Sequence, residues 1–63
     1  NSLGVKRGVN WLNIRKTPSL DGVIIGKMVP TDVYVKTGQI GVWFKINFKG
    51  QDGWIHSAYT VDK

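Results

Sequence analysis

Trp43-Phe44-Lys45-Ile46-Asn47-Phe48-Lys49-Gly50-Gln51-Asp52-Gly53-Trp54-Ile55-His56 is the stretch whose periodicity decides the fold. Phe44, Ile46 and Phe48 recur at every second position with Lys45 and Asn47 between them, the period of a strand with one apolar face. Lys49-Gly50-Gln51-Asp52-Gly53 reads as a hairpin connection, since its glycines reach positive φ without a Cβ clash. Trp54-Ile55-His56 is then a short returning strand.

The same reading extends outward. Leu12-Asn13-Ile14-Arg15 and Val33-Tyr34-Val35-Lys36 alternate in the same way. Val23-Ile24-Ile25 is β-branched and continuous, as in a strand packed on both faces or leading into a bend. Thr17 to Gly22, Pro30 to Asp32 and Thr37 to Gly41 carry the turn chemistry between these runs. Ser57-Ala58-Tyr59 reads as a brief 3₁₀ turn before Thr60-Val61. No window has helical periodicity. Five or six short strands without a helix must curl over one core, so the expected class is all-β, a small and strongly bent barrel or sandwich.

Sixty-three residues suffice for one domain, here expected over 1–63 with its core at about 9–61. A chain this short buries only about 60 % of the surface exposed by its unfolded form. It has no cysteine, which excludes disulfides and cysteine-based metal frameworks. No apolar run is long enough to span a bilayer. The chain begins at Asn1 rather than Met, which points to a processed product or a domain cut from something larger.

Nine Lys and Arg face four acidic residues, all of them Asp, for a net charge of +5. Lys6, Arg7, Arg15, Lys16, Lys27, Lys36, Lys45, Lys49 and Lys63 are scattered, with no run longer than two. Such a surface either serves solubility or attracts a polyanion: nucleic acid, an anionic membrane or an anionic wall polymer.

Catalysis has little support. His56 and Ser57 are the one nucleophile–base neighbour pair, and adjacent strand residues point to opposite faces. No Glu is present, and Asp21, Asp32, Asp52 and Asp62 fall in loops, at strand edges or in the tail. No cofactor and no metal site is expected from one His and scattered Asp.

The ordered motifs resemble the bacterial SH3 family. They are Leu12-Asn13-Ile14-Arg15-Lys16-Thr17-Pro18-Ser19, Val23-Ile24-Ile25-Gly26, Trp43-Phe44-Lys45-Ile46, Gly50-Gln51-Asp52-Gly53-Trp54-Ile55 and Ser57-Ala58-Tyr59. The likeness runs from about Val9 to Val61. It implies an SH3-like barrel attached to cell-wall hydrolases or secreted surface proteins, itself non-catalytic and targeting its parent to peptidoglycan. Two departures lie beside the expected groove. Thr17 stands where the family commonly has glycine, so that loop is expected to avoid positive φ. Val42 separates Gly41 from Trp43, where the family often joins glycine and tryptophan directly, so a different loop shape is expected there.

Strand parity sets Trp43 opposite Phe44, Ile46 and Phe48, Tyr34 opposite Val33 and Val35, and Trp54 opposite Ile55. Flat rings are thus expected outside the sheet, where an extended polymer could reach them. Trp43, after the Gly41 loop, and Tyr59, in the turn after the last strand, stand where the resemblance implies an SH3-type groove and are the leading ligand contacts, with Tyr34 also a candidate. Trp54 reads as structural, and Trp11 is open to either role. Asn13, Arg15, Thr17 and Ser19 are expected on the opposite bank, with Arg15 also suited to tying down loop carbonyls or Asp21. The expected partner is peptidoglycan, through its peptide or glycan, with anionic wall polymers as a further attraction. The protein is expected to be a secreted or wall-associated monomer. Two rival readings are a small basic nucleic-acid-binding barrel, which the scattered lysines disfavour, and a module contacting another part of its own chain.

Overall fold

The computed structural model describes residues 2–63. It contains β1 (Ser2–Val5), β2 (Leu12–Arg15), β3 (Ile24–Met28), β4 (Tyr34–Ile40), β5 (Trp43–Phe48), β6 (Gln51–His56), a 3₁₀ turn (Ser57–Tyr59) and β7 (Thr60–Asp62). The sheet order is β3-β2-β6-β5-β4-β1-β7, with every pairing antiparallel. Laid flat, seven strands about 4.8 Å apart would spread about 29 Å. The Cα extents are 24 × 23 × 21 Å, so the sheet curls on itself.

This is the expected all-β architecture, with seven strands where five or six were expected. β1 is the strand that periodicity did not reveal. It is four residues long, includes Gly4, and pairs with β4 and β7, both distant along the chain. Leu3 and Val5 nevertheless join Leu12, Ile14, Met28, Ile46, Phe48 and Ile55 in the buried core. Each such side chain contributes roughly 1.5–3 kcal/mol on leaving water.

The β5–β6 hairpin turns on two residues, Lys49 and Gly50, both at positive φ (52° and 86°), as a type I′ turn requires. The Asn47 side chain closes it, its Oδ1 accepting from the Gly50 N–H at 2.9 Å. Gln51, Asp52 and Gly53, expected within the connection, instead belong to β6. Gly53 is there for close approach. β2 meets β6 at the registered pair Arg15–Trp54, and a Cβ on Gly53 would lie 2.6 Å from Ile14 Cγ2.

The β4–β5 connection is also shorter than expected. Thr37 to Ile40 extend β4, leaving Gly41 and Val42 as a two-residue turn with Gly41 at φ 58°. Val42 is thus absorbed as the second turn residue. Separately, a bulge between Lys36 and Gly38 leaves Thr37 unpaired in the ladder, and Thr37 donates its hydroxyl to the Lys45 carbonyl at 3.1 Å.

In β4 the parity is reversed from expectation. Val33 and Val35 are exposed, whereas Tyr34 packs on the core, its ring 6.2 Å from that of Phe48. Pairing explains this: Tyr34 lies opposite Leu3, and cross-strand partners share a face. The larger ring takes the inner side.

Candidate ligand groove

The residues that build the groove come from the outer face of the curled sheet and from the loops that close over it. Register from the Lys49-Gly50 turn pairs Trp43 with His56 and Lys45 with Trp54 across β5 and β6. The Trp43 and His56 rings meet edge to face, centroids 5.1 Å apart, and His56 lies 5.5 Å from Tyr59. Three rings therefore run in a row from β5 to the 3₁₀ turn.

His56 also starts that turn. Its Nδ1 accepts the Ala58 N–H at 3.1 Å, which satisfies one of the donors left free at a helix start. The imidazole is committed to the backbone of Ala58, and the Ser57 N–H to the Val42 carbonyl at 2.8 Å. This last bond ties the 3₁₀ turn to the β4–β5 turn and closes the end of the sheet around Trp43.

The opposite bank comes from β2 and the loop that follows it. Leu12 and Ile14 point inward, so Asn13 and Arg15 point outward. Arg15 donates from Nη1 to the Gly22 carbonyl at 3.0 Å, holding the 16–23 loop. The Lys16 N–H donates to the Val23 carbonyl at 2.8 Å and closes the base of that loop. Leu20 at its tip is 72 % exposed.

Between these banks lies a cavity of about 320 Å³, lined by Val9, Trp11, Leu12, Asn13, Arg15, Leu20, Trp43, His56 and Tyr59. Its ring faces are not equally open. Trp11 and Tyr59 are each about half exposed, at 52 % and 50 %, whereas Trp43 is only 9 % exposed. The expectation of a freely exposed Trp43 is corrected: the His56 ring packs edge-on against it, and its small exposed part belongs to the groove lining. Lys27 Nζ stands 5.2 Å from the Trp11 ring, within cation–π range.

Of the residues singled out in the sequence, the structure brings together Trp43, Tyr59, Asn13 and Arg15. Thr17 and Ser19 do not line the cavity; their hydroxyls lie 3.2 Å apart in the exposed loop. Thr17 has no positive φ, in keeping with the absence of glycine there. Tyr34 sits apart from the groove, against Phe48. Burial, and secondarily the Asp32 carboxylate, raise its phenol above the ordinary value of 10.0.

Sequence reasoning missed Val9, Leu12, Leu20 and His56. A signal for His56 was available. Counting back from a two-residue turn at Lys49-Gly50 sets His56 opposite Trp43, and cross-strand neighbours share a face. The site holds one guanidinium and the Asn13 amide among apolar and aromatic walls, with no carboxylate in its lining. This composition suits an extended ligand with flat or apolar stems and hydrogen-bond acceptors.

A family model described as "Bacterial SH3 domain" matches residues 10–61. No curated protein matches the chain.

Proposed function

Since the chain belongs to the bacterial SH3 domain family, we propose that it is a non-catalytic module that holds a secreted hydrolase or surface protein on peptidoglycan. The observation that carries this reading is the groove itself. An open trough of about 320 Å³ has aromatic walls on one bank and the Asn13 and Arg15 side chains on the other. Ring faces cover apolar stems, and amide and guanidinium donors pair with peptide or sugar oxygens.

Tyr59 and Trp11 are the exposed ring platforms, Trp43 the floor, and Asn13 and Arg15 the polar contacts. Four of the guanidinium's five donors lie beyond its single bond to Gly22. Several such modules along one chain would strengthen the hold by effective concentration.

The test is co-sedimentation with purified sacculi, joined to amide chemical-shift mapping with soluble muropeptides. Tyr59→Ala is expected to lower sacculus binding about tenfold, the size of a modest aromatic hot spot, while keeping the native spectrum. Muropeptide shifts should centre on Asn13, Arg15, His56 and Tyr59. Unchanged sedimentation of Tyr59→Ala, or muropeptide shifts located elsewhere, would overturn the reading.

A further inference from the structure

A second recess lies on the far side of Val9. It has a volume of about 390 Å³ and occurs where the β1–β2 connection meets the end of β7 and the β3–β4 turn. Its apolar part is Val5, Val9, Val61 and Pro30, and its charged part is Lys6, Arg7 and Lys63. Three of the chain's nine cationic residues therefore line one cavity, and no Asp or Glu is in its lining.

The fold produces this convergence, since the three cations come from opposite ends of the chain. The Lys63 N–H donates to the Ser2 carbonyl at 2.8 Å, continuing the β1–β7 ladder by one residue. Lys63 therefore keeps the face of Val61, while Asp62 between them takes the other. A Cβ on Gly4 would meet the aliphatic carbons of Lys63, so that side chain lies across β1. The Lys6 N–H bonds to the Tyr59 carbonyl at 2.9 Å, and the Val9 N–H to the Lys6 carbonyl at 3.0 Å. Both bonds hold the Lys6-Arg7 turn against the end of the 3₁₀ turn.

We infer that this recess is a second binding site, for a phosphodiester-linked polyol chain. Charge complementarity calls for closely spaced anions, because three cations in a lining that holds no Asp or Glu repel one another until an anion enters. The apolar floor accommodates the carbon segments between successive phosphates. The absence of any aromatic side chain from the lining disfavours single-stranded nucleic acid, which is held by stacking bases on rings. Val9 lines both recesses, so a wall polymer could lie in one while a peptide or sugar occupies the other. The inference goes beyond the groove and does not require it.

The experiment is an amide-shift titration of the intact chain with a short poly(glycerol phosphate), run at 50 and 200 mM salt. Shifts are expected at Lys6, Arg7, Gly8 and Lys63. Neutralising about three phosphates gives a log–log salt slope near −2, which means about a 20-fold weaker affinity at the higher salt. Arg7→Ala should weaken binding several-fold and flatten that slope by about one third. Lys36→Ala, a cation outside the recess, and Tyr59→Ala, in the groove, should leave it unchanged. Loss of binding in Tyr59→Ala would put the polymer in the groove and overturn this site while sparing the peptidoglycan reading. Equal losses in Lys36→Ala and Arg7→Ala, or duplex DNA binding the same residues as tightly, would overturn it too.

Discussion

The two faces of the β5–β6 hairpin are one residue apart in sequence and do different work. Inward, Ile46 and Ile55 are fully buried among residues of β1, β2 and β3. Outward, Trp43 and His56 pair across the strands and form a wall of the groove. The difference is one of parity, but it is not a difference between buried and exposed. Trp43 is nearly as covered as the core, yet it stands outside the core cluster. A sheet curled this tightly covers its outer face at one end, where turns fold back on it. Exposure alone therefore does not separate a binding ring from a structural one; the partners around the ring do.

Breaking the inner face should have the largest effect. Ile46→Ala removes a side chain with no exposed surface and is expected to cost about 2–5 kcal/mol. Small domains have few kcal/mol in reserve, so denaturant titration should show a largely unfolded chain. A well-folded Ile46→Ala chain would mean the two faces share the stabilising role.

The outer face should respond in two quantities at once. Trp43→Ala is expected to cost about 2 kcal/mol, below the usual range for a core aromatic because one side of its ring already meets the groove. Muropeptide binding should fall by more than tenfold, with Trp43→Phe recovering stability more fully than affinity. Stability and affinity read from one set of urea titrations and shift titrations check this. Loss of stability without loss of affinity would assign Trp43 to the core alone and break the distinction between the faces.

The smallest effect concerns the turn that sets the register of both faces. Lys49 adopts φ 52°, a conformation that costs an ordinary L-residue about 1–2 kcal/mol. Lys49→Asn makes the Asn-Gly pair that type I′ turns favour, and should raise stability by about 0.5–1 kcal/mol with no change in affinity. Thermal unfolding at matched concentration would detect it, and a destabilised variant would argue that the Lys49 ammonium, 5.3 Å from the Phe48 ring, matters more than the backbone.

Much of the fold was legible because strong local signals agreed with it. The Phe44-Ile46-Phe48 alternation dictates a strand and Gly50 a turn with little help from elsewhere, whereas the positive φ of Lys49 is not a preference that its side chain announces. β1 was illegible because Ser2-Leu3-Gly4-Val5 is stabilised by partners some thirty and sixty residues away. Tyr34 was read outward because its valine neighbours look like the apolar face. Its inward place follows from pairing with Leu3, which no local pattern records. In the groove, Asn13, Arg15, Trp43 and Tyr59 were found from their turn and strand positions read against the resemblance to the bacterial SH3 family. His56 was passed over because it was weighed against Ser57 as a chemical neighbour, and not against Trp43 as a cross-strand one.

By itself, then, the chain's own order of residues determined an all-β protein with a hairpin connection opening at Lys49-Gly50 and aromatic rings in the strands beside it. Those properties arise from dihedral preferences and from a period of two, which act over a few residues. The contraction of that connection to two residues came from the pairing of Phe48 with Gln51. Tertiary structure alone decided which rings stay open, that Arg15 spends one donor on Gly22, and that Lys6, Arg7 and Lys63 converge on one recess. The reason is geometric: coverage and charge convergence depend on how a closed sheet brings its two ends together, and that information is spread over the whole chain.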